Sequence, residues 1–258
     1  MGYRGLSLDG KCALVFGGTT GLGRAMSLGL AEAGAEVVAV SRREDAVRNT
    51  AEALRALGRW GLELKADITR REDIQSVIRA VLQEFGRIDI LINSAAVTKR
   101  VPSLEMGDED FDRIVDINVR GTWQACQMVG RIMCEQQQGR IINIASVAGL
   151  LSAHEVAVYC ASKGAVIQIT RALAAEWAKY NVTVNTIAPG VFETDLNKNL
   201  INEPGRKASI MAHTPLKRFG NLEEIKGAAI FLASESSSFV TGQVLCVDGG
   251  FSAQGVGE

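Results

Sequence analysis

The sequence predicts a single α/β domain built on a parallel sheet, with helices packed against it. Short apolar runs alternate with longer amphipathic stretches, which is typical of repeated strand–helix–strand units. The runs are apolar throughout, which indicates strands buried on both faces. A length of 258 residues and the lack of a Pro-, Gly- or Ser-rich linker favour one domain over 1–258. The seven predicted strands are Cys12–Phe16, Val37–Val40, Leu62–Ala66, Ile88–Ile92, Ile141–Ala145, Val182–Ile187 and Val244–Val247.

The sequence segments between these strands have the apolar spacing of amphipathic helices. Residues 110–136 predict a long helical stretch that is interrupted near Asn118 and Gly121, and 156–180 predict another. The least regular segment is Glu193–His213, beyond a strand end. It is either a lid over a site or a surface excursion. Between the third and fourth predicted strands, helical spacing places six apolar residues on one face, which would lie on the sheet: Ile74, Val77, Ile78, Val81, Leu82 and Phe85.

Composition excludes several classes of function. The 28 basic and 29 acidic side chains give a net charge of −1, which offers no basic footprint for nucleic acid. No apolar run is long enough to span a bilayer, and the N-terminus lacks the apolar core of a signal peptide. Five widely spaced cysteines, without a Cys-x-x-Cys pair or a histidine cluster, predict neither a disulfide framework nor a metal site. We therefore expect a cytoplasmic protein.

A glycine-rich turn follows the first strand. It reads Gly17-Gly18-Thr19-Thr20-Gly21-Leu22-Gly23 and leads into the predicted helix Arg24–Ala33. Glycines at 17, 21 and 23 let the backbone turn tightly and approach a pyrophosphate, which the helix N-terminus then binds. The strand before the turn and the helix after it predict a dinucleotide site.

The end of the second strand indicates which dinucleotide binds. An acidic residue there would accept hydrogen bonds from the ribose 2′-OH of NAD, but this chain has Ser41-Arg42-Arg43. Ser41 can donate to a 2′-phosphate, and Arg42 can pair with it. The alternative is that both arginines cap the solvent end of a strand. The sequence favours NADP(H) over NAD(H).

Tyr159 and Lys163 lie four residues apart, thirteen residues after Ser146. On a helix, this spacing places the phenol and the ammonium on one face. A nearby cation lowers the pKa of a phenol from about 10, which would suit it to proton transfer. The Ser146 hydroxyl could hold a substrate oxygen against that phenol. We therefore expect these three side chains to form a catalytic group.

Taken in order, these motifs resemble the short-chain dehydrogenase/reductase family from about Leu8 to Phe251. The resemblance implies a doubly wound, Rossmann-like sheet, NAD(P)(H)-dependent interconversion of carbonyl and alcohol, and a homotetramer. It places Asn118, Ser146, Tyr159 and Lys163 on the family's catalytic tetrad. Further matching motifs are Asp67-Ile68, Asn93-Ser94-Ala95-Ala96, Pro189-Gly190 and Val247-Asp248-Gly249-Gly250.

The resemblance also implies individual roles. Asp67 would contact adenine, Ile68 would pack on its ring, and Thr194 would meet the nicotinamide carboxamide. Lys163 would hold the nicotinamide ribose, and the exposed carbonyl of Asn118 would fix a water. Phe16 and Asn93-Ser94-Ala95-Ala96 depart from the family pattern. The predicted cofactor contacts are Gly17, Thr19, Thr20, Gly21, Leu22, Gly23, Ser41, Arg42, Arg43, Asp67, Ile68, Asn93, Ala95, Tyr159, Lys163, Pro189, Gly190 and Thr194.

The loop after the fourth strand bears on the substrate. Its basic-basic-x-Pro pattern, in Lys99-Arg100-Val101-Pro102, resembles the family branch that oxidises gluconate and related sugar acids. Lys99 or Arg100 can bind a substrate carboxylate, or can be a solvated loop charge. His154 can line the pocket. Two alternatives remain: a reductase of 3-oxoacyl thioesters on an acyl carrier protein, and a nucleotide-sensing regulator without catalysis.

Overall fold

In a computed structural model, residues 4–194, 197 and 203–255 are described. Within them the chain forms a parallel sheet of six strands in the order β2-β1-β3-β4-β5-β6. The predicted α/β class and the parallel sheet flanked by helices are confirmed. The strands are β1 (Cys12–Phe16), β2 (Glu36–Val40), β3 (Ile90–Asn93), β4 (Gly139–Ile144), β5 (Val182–Pro189) and β6 (Val244–Val247).

The predicted strand Leu62–Ala66 is wrong, so six strands replace the expected seven in the described chain. This segment makes an isolated parallel bridge between Lys65 and Ser41, beside β2. Its charged residues are exposed: Glu63 pairs with Arg55 at 2.6 Å, and Lys65 pairs with Glu44 at 3.5 Å. The segment therefore lies beside β2 at the sheet edge without a full ladder.

The helices cover both faces of the sheet. The interruption predicted near Asn118 and Gly121 is confirmed as a π-helical turn, Asp116–Gly121, between two α-helices. No helix in the described part of the chain combines the length and the apolar composition that a membrane crossing requires. The α-helices are α1 (Gly21–Glu32), α2 (Glu44–Ala56), α3 (Arg71–Phe85), α4 (Asp108–Val115), α5 (Thr122–Gln136), α6 (Ala157–Trp177), α7 (Pro204–His213) and α8 (Glu223–Ala233).

Two hydrophobic cores lie on opposite faces of the sheet. Successive residues of a strand point to opposite faces, so Leu14 belongs to one core and Val15 to the other. Helices α3, α5 and α6 pack on the first face, and α1 and α8 on the second. Burial on both sides explains the continuous apolar runs in the sequence.

The strand order creates a crevice at one edge of the sheet. Strand β1 pairs with β2 on one side and with β3 on the other, so the chain changes direction across the sheet at β1. In open parallel sheets, ligands bind outside the carboxyl ends of the strands at such a point. The predicted lid, Glu193–His213, lies partly outside the described residues, and its described part includes α7.

Candidate active site

Ser146 and Tyr159 meet beyond the carboxyl end of β4. Ser146 begins a 3-10 turn, where its Oγ accepts a 3.1 Å hydrogen bond from the amide of Ala148. Tyr159 lies in the first turn of α6, and the Ser146 side chain is near enough to its hydroxyl to lower the pKa of the phenol. Gly149 packs against the backbone of Lys163, where a Cβ would come within 2.7 Å. The structure therefore brings the predicted Ser146, Tyr159 and Lys163 together.

Lys163 is buried, with 3% of its surface exposed. Its Nζ donates a 2.7 Å hydrogen bond to the carbonyl of Ile144 and lies 5.7 Å from the centroid of the Tyr159 ring. Burial disfavours the charged ammonium and lowers the pKa of Lys163 from 10.5 to about 8. The lysine can therefore change its charge just above neutral pH.

The pKa of Tyr159 departs from the sequence prediction. Burial raises it above its usual value of 10, the nearby Ser146 side chain opposes this in part, and Cys160 raises it further. Lys163 is not among the groups that shift this pKa here, so the expected effect of its charge stays a prediction. The Lys163 ammonium donates to the main-chain carbonyl of Ile144, and burial lowers the pKa of Lys163 itself.

Asn118 ties the loop after β3 to α6. Its side chain accepts from the amide of Val97 and donates to the same residue's carbonyl, both at 2.9 Å. It also donates to Ser162 Oγ at 3.0 Å, and Ser162 donates to the carbonyl of Tyr159. Asn118 is fully buried and its carbonyl accepts from Thr122 Oγ1, so the expected exposed carbonyl is wrong. The residue positions the backbone that carries Tyr159.

The glycine-rich turn lies against the loop after β3. Gly17 has a φ of 75°, which side chains rarely adopt, and a Cβ there would collide with the backbone of Ala95. A Cβ at Gly23 would collide with the carbonyl of Gly17. Thr20 precedes the first residue of α1 without a side-chain cap, so the first amides of the helix remain available to an anion. This turn fits a dinucleotide pyrophosphate.

The end of β2 presents a cation beside a hydroxyl. Thr19 Oγ1 donates to Ser41 Oγ at 2.8 Å, and Arg42 is 57% exposed. Arg42 Nη1 lies 3.7 Å from Asp67 Oδ2. Burial raises the pKa of Asp67, but hydrogen bonds from Thr69 and the charge of Arg42 leave it below its ordinary value. A charged Asp67 can hold Arg42 in place at the end of β2.

Two predicted cofactor contacts lie in the interior. Ile68 is 6% exposed and lies in the core beside Gly121. Asn93 is also buried, and it donates to Asn143 Oδ1 at 2.9 Å and contacts Cys126 Sγ at 3.2 Å. Both side chains pack in the interior, and their contact with a cofactor stays a prediction. Asn93 Oδ1 is buried without a hydrogen-bond partner among the described residues.

The remaining cofactor candidates lie at the carboxyl ends of the strands. Pro189 ends β5, and a Cβ at Gly190 would come within 2.8 Å of Asp248. Thr194 lies beside the glycine-rich turn, since a Cβ at Gly21 would contact its Cγ2 at 3.4 Å. These residues therefore border the same crevice as the turn.

The substrate candidates already have protein partners. Lys99 pairs with Asp110 at 3.4 Å, and Arg100 Nε donates to Glu155 Oε2 at 2.8 Å. His154 is 85% exposed and lies 3.6 Å from Glu155. The sequence analysis missed Glu155 and its second partner, Arg206. The sequence does show Glu155 as a lone acidic residue in the loop between Ser146 and Tyr159. It does not show which distant residues this carboxylate contacts.

Comparisons with known proteins identify the family of the chain. A model of the family described as enoyl-(acyl carrier protein) reductase matches residues 17–252. The 2-dehydro-3-deoxy-D-gluconate 5-dehydrogenase of Pseudoalteromonas atlantica is 39% identical over 246 residues, which cover 95% of this chain and 97% of that protein. The 3-oxoacyl-[acyl-carrier-protein] reductase of Thermotoga maritima is 38% identical, with coverage of 95% and 99%.

Solved structures give the same result. A crystal structure of gluconate 5-dehydrogenase from Burkholderia cenocepacia, in complex with NADP and tartrate, matches this fold with a TM-score of 0.94. The two chains are 36% identical, and the match covers 98% of this chain and 99% of the other. The likeness therefore extends over the whole domain.

Proposed function

Because the chain belongs to the short-chain dehydrogenase/reductase family, we propose that it uses NADP(H) to interconvert a ketone and a secondary alcohol on a sugar acid, such as gluconate and 5-ketogluconate. The meeting of Ser146, Tyr159 and Lys163 beyond the carboxyl end of β4 carries the redox part of this proposal. Redox chemistry of this kind needs a proton donor next to the nicotinamide ring, and this arrangement provides one.

NADP(H) is supported by the chemistry of the crevice. The open amides at the start of α1 suit a pyrophosphate, and the exposed Arg42 beside Ser41 suits a 2′-phosphate. No acidic side chain follows β2 directly to repel that phosphate. The related gluconate 5-dehydrogenase was crystallised with NADP.

When bound, the nicotinamide supplies or accepts the hydride. In reduction, Tyr159 donates its hydroxyl proton to the oxygen that develops negative charge, and Ser146 donates a hydrogen bond to the same oxygen. The raised pKa of Tyr159 means that the phenol carries its proton at neutral pH and can donate it. General acid help of this kind contributes about 10²–10⁴ in rate.

The carboxylate preference is supported by the loop after β3. Arg100 lies on that loop, and its guanidinium suits a bidentate contact with a carboxylate. Its terminal nitrogens make no hydrogen bond among the described residues, and its Nε is bound to Glu155. The names of two relatives, a dehydrogenase of a deoxygluconate and one of gluconate, agree with this choice.

A 3-oxoacyl-thioester reductase is the second candidate, since the relative from Thermotoga maritima is nearly as similar as the sugar-acid enzyme. Consumption of NADPH by the purified protein separates the two, with 5-ketogluconate, 2-keto-3-deoxygluconate and acetoacetyl thioesters as substrates. We expect turnover of a sugar acid. Turnover with thioesters alone would contradict the sugar-acid proposal. No turnover of any compound in a broad panel of carbonyl substrates would favour a regulator.

The proposal includes a homotetramer. Helices α5 and α6 present a groove to the surface, and Trp123 of α5 is 41% exposed. Two long helices side by side at the surface, with an exposed tryptophan on one of them, suit an isologous contact. Sedimentation at working concentration tests the assembly, with a tetramer as the expected species and a monomer as the contrary result. The groove is lined by Gln127, Gly130, Arg131, Cys134, Glu176, Trp177, Lys179 and Tyr180.

A further inference from the structure

Glu155 joins three separate segments beyond the carboxyl ends of β3 and β4. Its Oε2 accepts from Arg100 Nε at 2.8 Å, on the loop after β3. The same oxygen lies 3.5 Å from Arg206 Nη2, on α7. His154, its neighbour in the chain, lies 3.6 Å from Oε1. Glu155 itself belongs to the loop that connects Ser146 to Tyr159.

The backbone at Glu155 also holds the Arg100 loop. Its carbonyl accepts a 2.9 Å hydrogen bond from the amide of Val101. At the other end of the loop, Val97 is held by two hydrogen bonds to Asn118. The loop over 97–101 is therefore fixed at both ends, by Asn118 from the catalytic group and by Glu155.

Glu155 adopts a backbone conformation that few residues with a side chain adopt. Its φ is 63°, in the left-handed region, which costs about 1 kcal/mol or more for a residue other than glycine. A glycine would fit this backbone more easily, but it would lose the carboxylate. A glutamate here is explained by what its side chain binds.

The contact with Arg100 leaves part of the guanidinium available. Glu155 accepts from Nε, and the two terminal nitrogens form no hydrogen bond among the described residues. Those nitrogens are the pair that binds a carboxylate in a bidentate manner. The side chains of Arg100 and Glu155 are only 29% and 28% exposed, so solvent screens their attraction less than that of a fully exposed pair.

We propose that Glu155 is a positioning residue that sets the Arg100 guanidinium and ties it to α7, and so determines the preference for acidic over neutral substrates. This inference rests on the proposed function, because it assigns Arg100 to the substrate carboxylate. Glu155 acts through Arg100 and touches neither the substrate nor the cofactor.

The test compares Glu155→Gln with Glu203→Gln. Glu203 pairs with Arg206 at 2.8 Å, so its variant removes one ion pair from α7 and leaves Glu155 in place. We measure kcat and KM for 5-ketogluconate and for a neutral ketone with the same enzyme. Glu155→Gln should raise KM for the acid about tenfold, the size of one charge-assisted hydrogen bond. The kcat for the acid and both constants for the neutral ketone should stay near those of the parent.

Glu155→Asp should restore part of the acid preference, since aspartate tolerates the left-handed backbone and keeps the charge. If Glu155→Gln raised KM equally for acidic and neutral substrates, or changed KM for neither, the proposal would be overturned. A parent enzyme without activity on any sugar acid would count against the proposed function instead.

Hydrogen exchange needs no substrate. It therefore distinguishes a failure of the Glu155 proposal from a failure of the proposed function. In Glu155→Gln, the amide hydrogens of α7 should exchange several times faster than in the parent. In Glu203→Gln, the increase in their exchange rate should be smaller. Unchanged exchange in Glu155→Gln would overturn the tie to α7, whatever the substrate proves to be. Faster exchange with an unchanged acid preference would overturn the role in substrate choice.

Discussion

Lys163 Nζ donates a 2.7 Å hydrogen bond to the carbonyl oxygen of Ile144, the last residue of β4. This contact fixes the buried end of the lysine beneath the strand end that leads to Ser146. The carbonyl is uncharged and the side chain is buried, so the ammonium loses hydration that one hydrogen bond does not fully replace. The low pKa of Lys163 follows from this environment.

The charge of Lys163 predicts how stability depends on pH. Its pKa is about 8 in the folded protein, against 10.5 as the ordinary value. Between these values the unfolded lysine binds a proton and the folded one does not, so raising the pH stabilises the folded state. Relative to Lys163→Met, the unfolding free energy should rise by about 3 kcal/mol from pH 8 to 10.5. Urea unfolding across this range measures the difference, and parallel curves would contradict the shift.

Tyr159→Phe should abolish turnover because it removes the proton that the phenol donates. We expect the rate to fall by at least about 10²–10⁴. NADPH affinity, followed by fluorescence titration, should change little. Tyr180→Phe is the matched control, since Tyr180 lies in the groove between α5 and α6, and it should keep the parent rate. Parental activity in Tyr159→Phe would refute the role given to the phenol.

Arg42→Ala should weaken NADPH binding because it removes the cation from the end of β2. A charge-assisted contact corresponds to about 10- to 100-fold in dissociation constant. NADH, which lacks the 2′-phosphate, should bind as before. Arg48→Ala is the matched control, since both arginine side chains are 57% exposed and each has an acidic partner. Equal effects of Arg42→Ala on the two cofactors would argue against a phosphate contact.

Gly17→Ala tests the close approach of the glycine-rich turn to the loop after β3. Gly10 is the control, because its φ of 73° nearly equals the 75° of Gly17, and a Cβ there would meet nothing within 4 Å. Gly10→Ala should cost about 1–2 kcal/mol for the backbone alone. Gly17→Ala should cost about 1–3 kcal/mol more, because its Cβ collides with Ala95. Thermal unfolding of both variants measures the gap, and equal losses would refute the collision.

Features set by local sequence were predicted well. The glycine spacing located the turn at Gly17–Gly23, and the i,i+4 pair placed Tyr159 and Lys163 on one helix. The break near Asn118 was also predicted, and the structure forms it as a π-helical turn. In each case the residues within a few positions determine the backbone, so the sequence alone contains the signal.

Features set by distant packing were not predicted. Leu62–Ala66 was interpreted as a strand, although its charged residues bind α2 at the surface. The pKa of Tyr159 is raised mainly by burial of the phenol, which depends on how distant elements pack around it. Glu155 and Arg206 are far apart in the sequence, so their contact could not be predicted from spacing.

A crystal structure of the protein with NADP bound tests the central claim most directly. The account predicts that the Ser146 and Tyr159 hydroxyls face C4 of the nicotinamide ring, with Lys163 beside the same nucleotide and Arg42 at the 2′-phosphate. A complex in which the phenol of Tyr159 points away from C4 would contradict the account.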